Sequence, residues 1–120
     1  LHADPQVAYA GTRMMLARVL WVSYPDRNFV RRAGLEVPSD VEALIARRDL
    51  NCLPQVVERL PDSFVEAFSW AGTPEMVAGR VKEIAAATGI EEFGFWVLLA
   101  AGQTREEAVR LLAEELLPRL

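Results

Sequence analysis

The sequence predicts an α/β fold, and three observations from residues 72–120 predict it. A helix with clear start and stop signals comes first. The run Phe93-Gly94-Phe95-Trp96-Val97-Leu98-Leu99 follows, too continuously apolar for a half-exposed strand. It fits a strand of a parallel sheet covered on both faces. A second, equally well-punctuated helix closes the chain. An αβα unit around a doubly buried strand normally belongs to a larger α/β sheet or barrel, which 120 residues are too few to complete.

Taken in order, Asp4-Pro5 opens a helix over about residues 5–23. Its residues Val7, Ala10, Met14, Leu16, Val19, Leu20, Trp21 and Val22 lie nearly all round, which predicts burial on most sides. Tyr24-Pro25 breaks it. A short helix from Asp26 to Ala33 ends at Gly34. Ser39 and Glu42 have capping-box spacing and open a helix to about Arg48. Gln55–Arg59 and Pro61–Glu66 read as short helices. Ala67–Ala71, apolar and stopped by Gly72, reads as a short strand. Gly72-Thr73-Pro74-Glu75 then combines an N-cap, a first-position proline and an acid suited to the positive helix end. Gly89 closes that helix as a left-handed cap. Thr104 and Glu107 form a capping box for the last helix, which ends near Pro118. There is no internal repeat or low-complexity run. Residues 35–61, richest in proline and charge, are the candidate insertion region.

The two strands should pair in parallel through a right-handed crossover. A two-stranded sheet still has two open edges and is marginal in water. Three resolutions are open: missing strands elsewhere in the native protein, association with another copy, or helices covering the edges.

Length fits one domain. Hydrophobic residues make up 52%, which argues against disorder, and 13 basic against 17 acidic residues give a net charge of −4. That balance argues against a nucleic-acid partner. Arg31-Arg32 and Arg47-Arg48 read as solvated helix faces. Cys52 is alone, so no internal disulfide is possible, and a reduced, cytoplasmic setting is expected. No apolar run reaches the ~20 residues that span a bilayer, and no secretion signal is expected, since Leu1-His2-Ala3-Asp4-Pro5 lacks a basic start and an apolar core. The start at Leu1-His2, without an initiator Met and almost directly in a helix, suggests a longer natural protein; a processed start would look the same.

The stretch Pro61-Asp62-Ser63-Phe64-Val65-Glu66-Ala67-Phe68-Ser69-Trp70-Ala71-Gly72-Thr73-Pro74-Glu75-Met76-Val77 is similar to the late part of luciferase-like oxidoreductases. The branch most resembled is the coenzyme F420-dependent one, including methylenetetrahydromethanopterin reductases. Ala113-Glu114-Glu115-Leu116-Leu117-Pro118-Arg119-Leu120 resembles the family's final helix. Val19-Leu20-Trp21-Val22-Ser23-Tyr24-Pro25, with Phe29 and Gly34, resembles the helix before its insertion region. Gly-Thr-Pro-Glu alone is a generic helix start; the order and spacing carry the likeness. It spans nearly the whole chain, but only about the last third of a family member.

The resemblance implies the C-terminal part of a TIM (β/α)8 barrel, mostly helical as a fragment, with two short parallel strands. Residues 1–120 would be the C-terminal segment, with 35–61 as the insertion and 67–120 as the last two β/α units. It implies hydride transfer or monooxygenase chemistry on a small-molecule substrate, through coenzyme F420 or FMN in the full-length protein. Most active-site positions of such a barrel would lie in earlier strands, so no cofactor is expected on these residues alone and no catalysis from them.

Barrel sites lie where strands end. Gly72 and Thr73 are therefore candidate cofactor-binding residues: a helix N-terminus offers N–H groups to an anion, and glycine permits close approach. Trp70 and Ala100 are candidate pocket-wall residues. The bland alternatives are capping, a core tryptophan, and a tight loop over Leu99–Gly102. Trp21, Trp96, Phe64, Phe68, Phe93 and Phe95 read as core. No catalytic residue is assigned. His2 is the only histidine, at an end expected to fray, which disfavours a Ser-His-Asp or Cys-His arrangement, and no metal site is expected. Cys52 reads as a buried small residue. A competing function is a stand-alone helical self-association module without catalysis; either way a homo-oligomer and no membrane partner are expected.

Overall fold

The longest helix, α1, runs Pro5–Ser23. It begins where the sequence places it, because the Asp4 carboxylate accepts the Gln6 N–H at 2.8 Å and so satisfies one orphan donor of the first turn. The computed structural model describes all of Leu1–Leu120. The chain divides into two compact units, Arg13–Ser69 and Leu1–Thr12 with Trp70–Leu120, so α1 contributes to both.

In the Arg13–Ser69 unit, α1 is followed by α2 (Asn28–Arg32), α3 (Ser39–Ala46), a 3₁₀ turn (Leu50–Cys52), α4 (Leu53–Arg59) and α5 (Asp62–Phe68). Its largest fully buried side chains are Phe64, Leu20, Ile45, Val30, Val41, Val56 and Val65. Phe68 meets Phe29 edge to face at 5.4 Å and Phe64 at 6.1 Å between ring centroids. Arg13 is ion-paired with Asp62, and Arg59 with Asp40 at 3.2 Å. Cys52 is buried and unpaired.

In the other unit, α6 (Pro74–Thr88) and α7 (Arg105–Arg110) supply the core, α7 continuing through a wider π turn at Leu111–Leu116 and a final 3₁₀ turn at Leu117–Arg119. Val77, Ala78, Val81 and Leu116 form a buried cluster, with Leu1, Trp70, Phe93, Phe95 and Leu112 packed on it. The punctuation of α6 and α7 forms as predicted. Thr73 Oγ accepts the Met76 N–H at 3.3 Å, and Gly89 closes α6 in the left-handed region (φ 71°). The capping box of Thr104 and Glu107 is complete.

The α/β expectation is overturned: the chain is helical and contains no strand or sheet. Neither the two parallel strands nor a TIM-barrel fragment is present. One cause covers both strands. Ala67 and Phe68 belong to the last turn of α5, extended by Ser69, whose N–H and hydroxyl both bond the Val65 carbonyl. Phe64 and Phe68 are four apart, the spacing that lets them stack along one helix face. A strand exists only through a hydrogen-bonded neighbour, and with its neighbour wound into α5, Phe93–Leu99 has none. It lies at the surface, and Trp96, expected in the core, is 84% exposed.

Smaller corrections follow the same pattern. α1, expected to be buried on most sides, leaves Val19 and Val22 41% and 71% exposed. α2 is shorter than Asp26–Ala33, starting at Asn28 after the Asp26 carboxylate takes the Asn28 N–H at 2.8 Å. The Ser39–Glu42 capping box does not form: Pro38 is the N-cap, its carbonyl accepts the Glu42 N–H at 2.9 Å, and the Glu42 carboxylate is held by Arg27 at 3.0 Å. The N-terminus, expected to fray, is tied to its unit: the His2 N–H bonds the Gly72 carbonyl at 3.1 Å, and Gln103 Nε2 bonds the Leu1 carbonyl at 2.8 Å.

Candidate functional site

Trp70, Gly72 and Thr73 lead directly into α6, and their surroundings decide what they can do. Gly72 is buried and takes φ 137°, a conformation that L side chains rarely adopt. A Cβ there would meet the Met76 side chain at 3.2 Å. The glycine is therefore required by the turn, and its open side is filled by protein. Its carbonyl is taken by His2.

At the start of α6, Thr73 Oγ satisfies the Met76 N–H and the Thr73 carbonyl accepts the Val77 N–H at 3.0 Å. Pro74 has no N–H to offer. The first turn also carries Glu75, whose negative charge already occupies the positive end of the helix dipole. A phosphate would find few free donors and a like charge. Gly72 and Thr73 thus do not fit the anionic group of a flavin or deazaflavin cofactor.

Trp70 is half-buried. Its ring meets Phe93 at 5.6 Å and Phe95 at 5.8 Å, both edge to face, and it packs on the Val77–Val81–Leu116 cluster. Ala100 is buried in a tight turn: the Gln103 N–H bonds its carbonyl at 3.0 Å and Gln103 Oε1 accepts its N–H at 3.1 Å. The backbone there presses on α1, where a Cβ at Gly11 would lie 2.8 Å from the Ala100 Cα. Trp70 meets the first half of Phe93–Leu99 and Ala100 follows its end. An open groove along α7, lined by Arg105, Val109, Arg110 and Ala113 among others, contains none of the four candidate residues.

Sequence reasoning missed a second constellation, in the Arg13–Ser69 unit. Arg27 is buried and bonds groups at and just beyond the end of α1. Its Nη1 donates to the Leu20 carbonyl (2.9 Å), Ser23 Oγ (3.0 Å) and the Asp26 carbonyl (3.2 Å), while Nε donates to Glu42. Its Nη2 and the Trp21 Nε1 are buried without a partner. Arg48, read as solvated, stacks at 3.8 Å over the Trp21 ring and donates to the Trp21 carbonyl. Both guanidiniums also face Tyr24, at 5.5 and 5.6 Å. α1 carries no basic residue in its last turn and no glycine follows it. A long helix without a local C-terminal cap must be capped from elsewhere, and that was the available signal.

Two groups have displaced titrations. Burial lowers the Leu1 amino group. Glu107 is lowered chiefly by the backbone hydrogen bond from Thr104, then by that residue's hydroxyl. No group of three or more His, Cys, Asp or Glu is placed to hold a metal ion, and no helix is long and apolar enough to cross a membrane. Comparison with protein-family models, curated proteins and solved structures found no match.

Proposed function

We propose that the chain is the C-terminal portion of a luciferase-like oxidoreductase, which performs hydride transfer or oxygen chemistry through FMN or coenzyme F420 on a small-molecule substrate. The observation that supports it is that α6, whose start belongs to the resemblance, begins at Thr73-Pro74-Glu75 and stops at Gly89 as read. The final helix, also part of the likeness, opens at the Thr104–Glu107 box. The reading assigns these residues a supporting part, with no sheet of their own. Gly72 and Thr73 act by fixing the start of α6, not by holding the cofactor. Trp70 and Ala100 act as backing for a wall. The cofactor, when bound, supplies the redox chemistry, and groups outside these residues hold it. A reducing, cytoplasmic setting goes with the lone, buried Cys52.

The product of the intact gene is the material to test. It should turn over FMN or coenzyme F420 with a second substrate, while residues 1–120 alone bind neither. A gene product that binds neither cofactor overturns the reading. Tight binding by the 120 residues alone overturns the supporting part.

One observation favours a second reading, a helical self-association module without catalysis. Trp96, Val97 and Leu99 stand exposed on a segment whose backbone is unpaired.

A further inference from the structure

We propose that Phe93–Leu99 pairs with the same segment of a second copy, antiparallel and centred on Trp96. The pairing rests on the self-association reading and is independent of the enzyme reading.

From Glu91 to Leu99 no backbone N–H or C=O takes part in a hydrogen bond, and the chain runs there without turn or bend. Phe93 and Phe95, two apart, both reach Trp70. That is the period of an extended strand, whose alternate side chains share a face. The segment is thus a strand in all but partner. What would cover it must offer a row of extended backbone groups, because a helix or a smooth apolar surface has no free N–H and C=O to give.

Three features select a second copy and its direction. The first is where the segment is already covered. On one face Phe93 and Phe95 rest on the α6–α7 core, while Val97 and Leu99 remain 39% and 42% exposed. An antiparallel twofold sets Phe93 opposite Leu99 and Phe95 opposite Val97. Each copy's core then stands beside the other's bare end, and the contact is self-complementary as an isologous interface must be. A parallel pair would crowd both cores at one end and leave both bare ends uncovered.

The second feature is charge. Glu91 and Glu92 precede the segment. Parallel pairing sets each against its own like charge, which destabilises a sheet pair. Antiparallel pairing sets them against Ala101 and Ala100.

The third is the free edge. Along a strand, the N–H and C=O of alternate residues point to opposite edges. The Leu99 carbonyl faces α1, since a Cβ at Gly11 would come within 2.7 Å of it. The edge of Phe95, Val97 and Leu99 is therefore closed at that end. The edge of Gly94, Trp96 and Leu98 is open. Pairing on it bonds Trp96 to Trp96 and Gly94 to Leu98 in both directions, with the exposed tryptophans adjacent across the twofold.

Hydrogen exchange on the 120-residue chain, with sedimentation over a concentration series, tests this. The amides of Gly94, Trp96 and Leu98 should gain about tenfold or more protection as the dimer forms, while those of Phe95 and Val97 stay near the unprotected rate. Trp96→Lys should raise the dissociation constant about tenfold or more by opposing like charges, as should Trp96→Glu, and an equimolar mixture of the two variants should associate again. Trp96 is exposed, so neither variant disturbs the monomer fold. A chain that stays monomeric overturns both association and pairing. A dimer with uniform or no protection of these amides overturns the pairing alone, as does failure of the mixed variants to associate. Pairing only with a strand from another polypeptide overturns the choice of a second copy.

Discussion

Ala67–Ala71 and Phe93–Leu99 read alike in the sequence, as short apolar strands between helices, and the structure treats them oppositely. The first is absorbed into the end of α5, where helix hydrogen bonds satisfy its backbone and Phe29 and Phe64 receive Phe68. The second stays extended and unpaired. Apolar character determined neither outcome. A helix closes its bonds within itself, whereas a strand borrows them from a neighbour. When one of two mutually dependent strands has a helical alternative, the other loses its partner.

The largest effects should separate these two regions. Phe64→Ala removes a fully buried ring that anchors Phe68, and should cost about 3–5 kcal/mol of stability. Trp96→Ala removes a larger ring from the surface and should change monomer stability by less than about 0.5 kcal/mol. Chemical denaturation at low protein concentration measures both. Equal losses would mean that Trp96 is covered in the folded monomer.

Next in size is Gly11→Ala. An exposed helix interior should gain up to about 1 kcal/mol from this change. Here the new Cβ would fall 2.7 Å from the Leu99 carbonyl oxygen and 2.8 Å from the Ala100 Cα, both backbone atoms. The expected result is a loss of about 1–3 kcal/mol, and a sign reversal would show that the end of the extended segment does not rest on α1. Thr73→Ala should then cost about 1 kcal/mol through loss of the α6 cap. In the isolated chain it should leave any weak affinity for FMN unchanged, as the Glu75 charge in the same turn disfavours an anion there.

What the sequence made legible was local. Asp4, Thr73, Pro74, Gly89 and the Thr104–Glu107 pair each act within a few residues of themselves, and each formed as read. Ser39–Glu42 had the same spacing and failed: the helix starts a residue earlier, the Pro38 carbonyl takes the Glu42 N–H, and Arg27, fifteen positions away, holds the Glu42 carboxylate. Arg48 is exposed as read, but its contact with Trp21, distant in sequence, left no mark on the spacing. Trp70 and Ala100 were read as pocket-wall candidates, and the structure packs the first on the α6–α7 core and sets the second in a tight turn. The use of Gly72 by Met76 and His2 could not be read, since neither contact leaves a mark on the spacing.

The smallest expected effect tests one of these local devices. Glu107 is exposed, yet its pKa is held below the ordinary carboxylate value of about 4.3. The main causes are hydrogen bonds: the Thr104 N–H to the carboxylate at 2.8 Å, then the Thr104 hydroxyl, ahead of the charge of Arg110. A carboxylate whose folded pKa is depressed stabilises the fold above its unfolded pKa, and loses that contribution as pH falls through the folded value. Between about pH 5 and the depressed value, the wild-type chain should therefore lose slightly more stability than Glu107→Gln, whose side chain cannot ionise. NMR titration should show the Glu107 pKa rising toward the ordinary value in Thr104→Ala. Because hydrogen bonds dominate, added salt should leave most of the shift in place, where a shift set by Arg110 would be screened. A salt-sensitive shift that survives Thr104→Ala would mean that the capping box is not what holds the carboxylate, and that even this local signal depends on more distant charge.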